Sequence, residues 1–489
     1  MNAQISSLFR VVAIGFAILI TMTAYWQIWA ADSLATRQDN ARLVYRQLEI
    51  KRGLILASNG KVLARNRVSH RDGETIYTRV YPYGRLFAHA IGYNTVDQGR
   101  SGIELSYNDF LTAANNDLAT QLRNLGDAIR GQTVTGDNLV TSLSLPAQRA
   151  AAQGLAGKVG AVVALQPSTF RVLAMASSPS FNPNTVVKNF AKLNRRSSGA
   201  PLLNRAMQGL YAPGSTFKTV TATAALDTGT YTPDSQINAF GSCLSPSQFP
   251  IFAQLCNAPG ESFGTITLST AMTYSVNTVF AQVGLKLGPR TMTDYMTRYG
   301  FFAKPPLDFP SDEMSASGRY QNGRMLRPNS RMDVARVAIG QEKLAVTPFQ
   351  MAEVAATIGN GGELMQPTLV DRAIQPSGSV DYRVAPHVLT RVMSPRTAQE
   401  LAQMMKNVVD EGTGTAANVQ GLTVAGKTGT AETGIPGINT AWFIAFAPVI
   451  HPKIAVAVTI EHTPEFGGQI AAPIAAQVIK AYLPQGVAQ

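Results

Sequence analysis

The sequence is poor in the residues that build metal centres and disulfide scaffolds. Its 489 residues include only two cysteines and five histidines, and no His lies at metal-ligand spacing from a Cys. It has no His-Glu-x-x-His motif and no Gly-x-Ser-x-Gly elbow. Zinc hydrolysis and Ser-His-Asp catalysis therefore have no support, and we expect neither a metal nor another cofactor.

The two cysteines are Cys243 and Cys256. Their spacing permits one short disulfide, which would stabilise the fold by about 3 kcal/mol through loop closure. Two free thiols are the alternative. So sparing a use of cysteine fits a protein that works outside the cell.

Charged residues are also sparse, at 15% of the chain against 45% hydrophobic residues. This composition excludes a disordered tail, and the length indicates two or more domains. The formal net charge of +12 would suit nucleic acid, an anionic membrane surface or an anionic wall polymer equally well. Location must decide among these partners.

Residues 11–31 contain no charged side chain and are long enough to cross a hydrocarbon core of about 30 Å. Tyr25 and Trp29 lie towards the far end, where aromatic rings favour the membrane interface. We interpret the run as an uncleaved anchor, with a cleaved secretory signal as the alternative. The basic residues after the run do not favour an extracytoplasmic body, which we infer instead from the chemistry below.

The rest of the chain changes character near residue 140. Residues 32–139 have the pattern of short strands and turns, with a hairpin signal at Asn59-Gly60, and predict a β-rich extended stalk. Beyond them, a hairpin over 161–176 precedes Ala-rich helices and late strands that suit an antiparallel sheet. The helices are predicted near 219–227, 268–275, 350–358 and 398–410, and the strands near 421–425, 441–446 and 454–461. The prediction is an α+β fold divided into a cytoplasmic tail (1–10), a transmembrane anchor (11–31), a β-rich pedestal (32–139) and a catalytic domain (140–489).

The sharpest local signal is Pro213-Gly214-Ser215-Thr216-Phe217-Lys218, a turn that leads into a predicted helix. Ser215 and Lys218 are three residues apart and share one helical face. An alcohol needs a base to become a nucleophile, and a desolvated lysine with a lowered pKa is such a base. The pair therefore predicts nucleophilic catalysis by Ser215.

Ser-x-x-Lys and Ser-x-Asn are weak motifs when each stands alone. A second Ser-x-x-Lys occurs at Ser58–Lys61, inside the predicted hairpin turn. Ser-x-Asn occurs at 106–108, at 180–182 and at Ser275-Val276-Asn277, and only the last follows Ser215. Order along the chain therefore selects Ser275 and Asn277.

Lys427-Thr428-Gly429 admits two interpretations. With the preceding residues it matches the phosphate-binding pattern Gly-x4-Gly-Lys-Thr, which requires a helix after the lysine. The residues after Thr430 instead form a small-residue turn before a strand, so we interpret the motif as part of an edge strand beside a cleft. A second decoy, 412–417, imitates a dinucleotide-binding loop but follows a helix rather than a strand.

The ordered set Ser215–Lys218, Ser275–Asn277 and Lys427–Gly429 resembles the active-site serine penicillin-recognising family. The similarity extends over nearly the whole chain and looks closest to class B penicillin-binding proteins of the compact PbpA-like kind. Further landmarks are Arg52-Gly53, Gly102-Ile103-Glu104 and Gly340-Gln341, with Ile103 in place of the family's Leu. The resemblance implies a β-lactamase/transpeptidase-like domain.

The resemblance also implies the role of each site residue. Ser215 would attack a D-Ala-D-Ala stem peptide and Lys218 would be its general base, while Ser275 and Asn277 relay protons and orient the substrate. Lys427, Thr428 and Thr430 would bind the terminal carboxylate, with Gly429 in the same substrate-binding segment. The backbone N–H groups of Ser215 and Thr430 would form the oxyanion hole. The implied function is a peptidoglycan D,D-transpeptidase.

The implied partners are peptidoglycan stem peptides, β-lactam antibiotics and a SEDS-type glycosyltransferase, with no nucleic acid. The chain would be a single-pass protein of the cell membrane with an extracytoplasmic catalytic domain. A D,D-carboxypeptidase, a class D-like β-lactamase and a non-catalytic scaffold of the division or elongation machinery are the alternative functions.

Overall fold

A computed structural model of the chain describes residues 2–29, 48–71, 74–114, 120–121, 126, 129–130, 133–328 and 331–483. Its first element is a long apolar helix, α1 (Asn2–Ala24), which continues as a π-helical turn over Tyr25–Trp29. Residues Ser6–Gln27 are long and apolar enough to cross a membrane, and none of this segment is buried inside the protein.

The helix begins nine residues before the predicted start of the anchor. No Gly or Pro interrupts residues 2–10, and Arg10 Nε donates to Ser6 O one turn earlier, so the predicted tail is helical as well. The end of the predicted anchor, residues 30–31, lies outside the described residues.

The helices are α2 (Ala88–Ile91), α3 (Gly102–Ser106), α4 (Asn108–Leu111), α5 (Leu145–Gly154), α6 (Val186–Leu193), α7 (Lys218–Asp227), α8 (Leu268–Thr273), α9 (Asn277–Arg298), α10 (Val334–Ala338), α11 (Pro348–Gly359), α12 (Pro395–Asp410) and α13 (Gly467–Tyr482). The strands are β1 (Ile55–Leu56), β2 (Val62–Arg71), β3 (Glu74–Val80), β4 (Asn138–Thr141), β5 (Gly160–Leu165), β6 (Val172–Ser178), β7 (Gln236–Gly241), β8 (Cys243–Leu244), β9 (Leu255–Cys256), β10 (Phe263–Thr267), β11 (Gly318–Gln321), β12 (Arg324–Met325), β13 (Leu344–Ala345), β14 (Glu363–Met365), β15 (Val370–Ile374), β16 (Val380–Arg383), β17 (Val388–Arg391), β18 (Ala425–Glu432), β19 (Asn439–Ala447) and β20 (Ile454–Thr463).

A five-stranded antiparallel sheet is the centre of the larger part of the chain. Its strand order is β18-β19-β20-β5-β6, so β18 is an edge strand. Helices α5 and α13 cover one face, and α11 packs on the other. Both faces of the sheet are therefore buried, which explains why its strands contain few charged residues. The predicted α+β arrangement of helices on an antiparallel sheet is confirmed.

The smaller sheet differs from the predicted stalk. Its order is β16-β15-β4-β1-β2-β3, so residues 370–383 complete a sheet that residues 55–80 begin. The predicted hairpin at Asn59-Gly60 is present between β1 and β2, but β1 pairs with β4 in parallel, and short helices α2 to α4 interrupt the strands. The predicted boundary at residue 140 falls inside β4.

The strand predicted at 421–425 begins later. Gly421 has a φ of 81°, and Leu422 N donates to Val419 O, so residues 419–422 form a turn. Strand β18 starts at Ala425 and pairs with β19 in register through Glu432. The Lys427 motif therefore lies inside a strand, which excludes the phosphate-binding interpretation.

A buried ion triad holds the smaller sheet against helix α3. Glu104 accepts from Arg52 Nη2 at 2.9 Å and from Arg79 Nε at 2.5 Å, and its side chain is fully buried. Tyr81 donates a third hydrogen bond to Glu104, at 3.2 Å. Burial opposes ionisation of Glu104, but the two guanidinium groups hold its pKa below the usual value. This part of the fold thus depends on a compensated charge.

We expect Glu104→Ala to lower the free energy of unfolding by about 3–5 kcal/mol, because it leaves two buried guanidinium groups unpaired. Denaturant unfolding followed by circular dichroism measures the change. The control is Glu400→Ala, which breaks the exposed pair with Arg396 and costs about 0.3–0.5 kcal/mol. Equal losses from the two variants would contradict a structural role for the triad.

Candidate active site

The predicted nucleophile lies on a tight turn between the sheet and the helices. Residues Gly214–Phe217 form a 3₁₀ turn that runs directly into α7, so Ser215 lies just before the α-helix rather than within it. Thr216 Oγ1 donates to Pro213 O at 2.7 Å, and Trp442 Nε1 on β19 donates to Ala212 O at 2.9 Å. These bonds fasten the turn to the sheet and leave Ser215 partly exposed.

Lys218, the first residue of α7 after this turn, is completely buried. Its Nζ donates to Asn277 Oδ1 at 2.6 Å. It also donates to two atoms of Ser275, the backbone carbonyl oxygen at 2.5 Å and the hydroxyl oxygen at 3.2 Å. The ring of Phe280 on α9 lies 5.6 Å from the amine. The structure thus brings Lys218, Ser275 and Asn277 together, as the sequence predicts.

Ser275 occupies the corner between α8 and α9. Its φ of 63° lies in the left-handed region, which is uncommon for a serine and costs free energy. The conformation lets the chain turn sharply between the two helices, and the Ser275 hydroxyl accepts from Lys218 Nζ and, at 2.8 Å, from Lys427 Nζ. One hydroxyl therefore connects two buried amines.

Lys427 reaches this hydroxyl from the edge strand β18. Its Nζ also donates to Thr428 O at 3.1 Å, and its side chain is fully buried. Thr428 is nearly buried, and its hydroxyl shares a 2.6 Å hydrogen bond with Thr413. Thr430 is more exposed and accepts from Gly467 N at 3.3 Å. The predicted site residues thus lie where the nucleophile turn, the corner between α8 and α9 and the edge strand β18 meet.

The environment lowers the pKa values of both lysines. Burial, followed by the nearby Lys427 charge, brings the pKa of Lys218 well below its ordinary value, while Glu261 opposes the change. Burial lowers the pKa of Lys427 to about 7, again against the effect of Glu261. Two ammonium groups beside one hydroxyl repel each other, so a neutral lysine is accessible near neutral pH.

Several glycines allow the backbones of the cleft to approach. A Cβ at Gly340 would lie 1.8 Å from Gly214 O, and Gly214 N donates to Gly340 O at 3.0 Å. A Cβ at Gly429 would lie 2.8 Å from Pro213 O, and one at Gly467 would lie 2.4 Å from Gly429 O. Only glycine permits these contacts, which hold the nucleophile turn against the edge strand.

Some residues of the site escaped sequence reasoning. Thr413 belongs to the segment dismissed as a false dinucleotide loop, and Glu261 carries no motif. A local signal exists for Gly467-Gly468, because two adjacent glycines at the start of a helix indicate that another backbone segment packs closely there. In the structure these segments include Gly429 and Thr413. The decoy Ser58–Lys61 lies in the β1–β2 hairpin of the smaller sheet.

The two cysteines form a disulfide, so the interpretation as free thiols is wrong. The bond joins the neighbouring strands β8 and β9, in which Cys243 and Cys256 are direct partners. Their Cα atoms are 4.0 Å apart.

Family comparisons agree with this geometry. Residues 160–480 match the penicillin binding protein transpeptidase domain, and residues 52–139 match the penicillin binding protein A dimerisation domain. The chain belongs to the penicillin-binding protein transpeptidase family. The predicted resemblance is confirmed.

Individual relatives match between 82% and 99% of this penicillin-binding protein. Peptidoglycan D,D-transpeptidase PbpA of Mycolicibacterium smegmatis is 32% identical over 99% of this chain and 100% of its own length. Peptidoglycan D,D-transpeptidase MrdA of Acinetobacter baumannii is 31% identical over 82% of this chain and 66% of its own. A structure of penicillin-binding protein A from M. tuberculosis, solved as a ceftriaxone acyl-enzyme complex, has a TM-score of 0.80 and 31% identity, covering 90% of this chain and 99% of that one.

We expect Gly340→Ala to be much more destabilising than Gly421→Ala, although both glycines have a φ of 81°. The methyl group at 421 meets no atom within 4 Å, so only backbone strain of about 1–2 kcal/mol applies. At 340 the methyl group would overlap Gly214 O and displace the nucleophile turn. Thermal unfolding of the two variants measures the difference, and equal melting temperatures would contradict the close approach.

Proposed function

We propose that this penicillin-binding protein is a peptidoglycan D,D-transpeptidase that works through an acyl-enzyme on Ser215. The observation that carries the proposal is the buried Lys218 amine, hydrogen-bonded to Ser275 and Asn277, one turn of chain after the partly exposed Ser215. The named D,D-transpeptidases among the relatives, and the acyl-enzyme structures of one of them, support the same chemistry.

In the first step a neutral Lys218 accepts the proton of Ser215, whose oxygen attacks the carbonyl carbon between the two D-Ala residues. The carbon–nitrogen bond breaks, an ester forms on Ser215, and the terminal D-Ala leaves as an amine after it receives a proton. Ser275 provides a route for that proton because its hydroxyl contacts both lysine amines.

In the second step an amine of a neighbouring stem peptide attacks the ester. A new amide forms, the Ser215 oxygen regains its proton, and the two strands are cross-linked. A β-lactam would follow only the first step, because its leaving amine stays tethered to the acyl group and blocks the acceptor. Covalent inhibition is the consequence.

Substrate binding would use the rim of the cleft. The hydroxyls of Thr428 and Thr430 would bind the terminal carboxylate, and the buried charge of Lys427 would favour the anion from below. Gly429 lets β18 approach the nucleophile turn, where the N–H groups of Ser215 and Thr430 would donate to the oxyanion. Each such donor contributes about 3–4 kcal/mol in other acyl-transfer enzymes.

The placement of the enzyme is part of the proposal. Helix α1 would anchor the chain in the cell membrane as a single span, with the pedestal (32–139) holding the catalytic domain (140–489) outside. The disulfide supports this side of the membrane because such bonds persist in oxidising compartments. A SEDS-type glycosyltransferase, implied by the family resemblance, would supply the glycan strands.

We expect fluorescent penicillin to form a long-lived adduct with the wild-type protein, and Ser215→Ala to abolish it. Mass spectrometry of the intact protein measures one added penicillin per chain. The control is Ser58→Ala, which removes the serine of the second Ser-x-x-Lys motif and should leave the adduct unchanged.

The alternatives predict different outcomes. Rapid release of hydrolysed penicillin would indicate a β-lactamase, and no adduct at all would contradict the proposal. A D-Ala-D-Ala peptide offered with an amine acceptor separates transpeptidation from carboxypeptidation, because water as the main acceptor yields only the shortened peptide.

We expect Glu261→Gln to move the acid limb of the acylation rate to lower pH. The Glu261 carboxylate raises the pKa values of Lys218 and Lys427, so its removal lowers both and leaves more neutral lysine at a given pH. The second-order acylation rate constant, measured against pH, provides the test.

Glu400→Gln is the matched control, because this carboxylate pairs with Arg396 on the surface and should leave the limb in place. A limb that moves to higher pH in Glu261→Gln would contradict Lys218 as the base.

A further inference from the structure

The disulfide-closed hairpin of residues 243–256 lies directly against the second catalytic motif. Cys256 O accepts a hydrogen bond from Asn277 Nδ2 at 2.8 Å. The other atom of the same amide, Oδ1, accepts from Lys218 Nζ at 2.6 Å. A carbonyl oxygen can only accept, so the Asn277 atom that points at Cys256 O must be the nitrogen Nδ2. The amide oxygen Oδ1 is then directed at Lys218. The hairpin backbone therefore determines how Asn277 presents itself to Lys218.

The next residue, Asn257, contacts the same motif from a second direction. Its Oδ1 accepts from Thr278 N, in the first turn of α9, at 3.0 Å. The N-cap residue of α9, Val276, provides no side-chain hydrogen bond, so Asn257 satisfies one of the free N–H groups at the start of the helix. Asn257 is itself nearly buried, and it donates from its backbone to Ser242 O at 2.9 Å and from Nδ2 to Gly241 O at 3.1 Å. Asn257 thus ties the start of α9 to the base of the hairpin.

The disulfide is the covalent part of this arrangement. The strands β8 and β9 are only two residues long each. So short a pair of strands forms few backbone hydrogen bonds, which stabilise a hairpin only weakly. Leu244 and Leu255 are buried in the main core, so the hairpin is packed on one side as well. The bond between Cys243 and Cys256 fixes the position of the carbonyl that contacts Asn277.

We propose that the Cys243–Cys256 disulfide and Asn257 are positioning residues for the transpeptidase reaction, which hold the Asn277 amide and the start of α9 against Lys218. The inference rests on the proposed function, because it assigns these residues to the acylation step. A purely structural disulfide would stabilise the fold, by restricting the unfolded chain, without changing the rate at which folded protein is acylated.

The test is the second-order rate constant for acylation by fluorescent penicillin, measured on the full chain in detergent. We expect Asn257→Ala and the double variant Cys243→Ala/Cys256→Ala to react roughly tenfold more slowly, because misplacement of a catalytic group is costly even when it is small. Asn257→Asp keeps the acceptor oxygen for Thr278 N and should recover most of the rate. Ser245→Ala is the control within the hairpin, since its hydroxyl contacts Ser247 and neither Asn277 nor Thr278.

Redox treatment provides a second arm. Reduction of the wild-type protein should reproduce the loss, reoxidation should reverse it, and the double variant should not respond to the reductant. Circular dichroism at the assay temperature gives the folded fraction of each sample. Wild-type rates in the folded double variant and in Asn257→Ala, or losses that only follow the unfolded fraction, would overturn the inference. Absence of any adduct in the wild-type protein would instead contradict the proposed function.

Discussion

Two lysine amines buried around one serine hydroxyl are the constraint on which the rest of the structure depends. Lys218 and Lys427 are both inaccessible to solvent, and both donate to Ser275 Oγ. Two charged amines this close and this poorly solvated repel each other, so the pair favours a state in which one amine is neutral. Burying such a cluster costs free energy, which packing and hydrogen bonds elsewhere in the fold must offset.

The backbone that surrounds this cluster explains how two distant parts of the chain meet there. Lys218 comes from a helix and Lys427 from the edge strand β18, so the helix start has to lie against the sheet edge. A side chain at Gly214, Gly429 or Gly467 would keep the two segments apart. A side chain at Gly340 would overlap Gly214 O and push the nucleophile turn away. The strained backbone of Ser275 serves the same purpose, because it turns the chain between α8 and α9 at the residue whose hydroxyl contacts both lysines.

The sequence predicts the motif residues of this site better than the residues that position them. Ser215, Ser275 and Lys427 could be selected by their order along the chain and by the type of element that carries each motif. The sequence predicts the start of β18 four residues too early, because an apolar run does not show where a turn with a positive-φ glycine ends. Thr413, Glu261 and Asn257 were missed because each acts through one long-range contact, which leaves no periodic pattern. The same reason applies to β15 and β16, which join a sheet begun some 300 residues earlier.

The lysines of the site differ in exposure from four of the other predicted site residues. Ser215, Ser275, Asn277 and Thr430 are partly exposed, whereas both lysines lie sealed beneath them. A substrate that enters the cleft would thus meet hydroxyl, amide and backbone N–H groups first, and the lysines would act through those groups. This order suits a reaction in which the same proton must leave the nucleophile, reach a departing amine and later return. In the proposed reaction a buried amine with a lowered pKa would make each transfer without exchange with bulk water, provided that its partners stay aligned. Under the proposed mechanism, the rate would therefore depend on the alignment of Asn277 and Ser275 as well as on the basicity of Lys218.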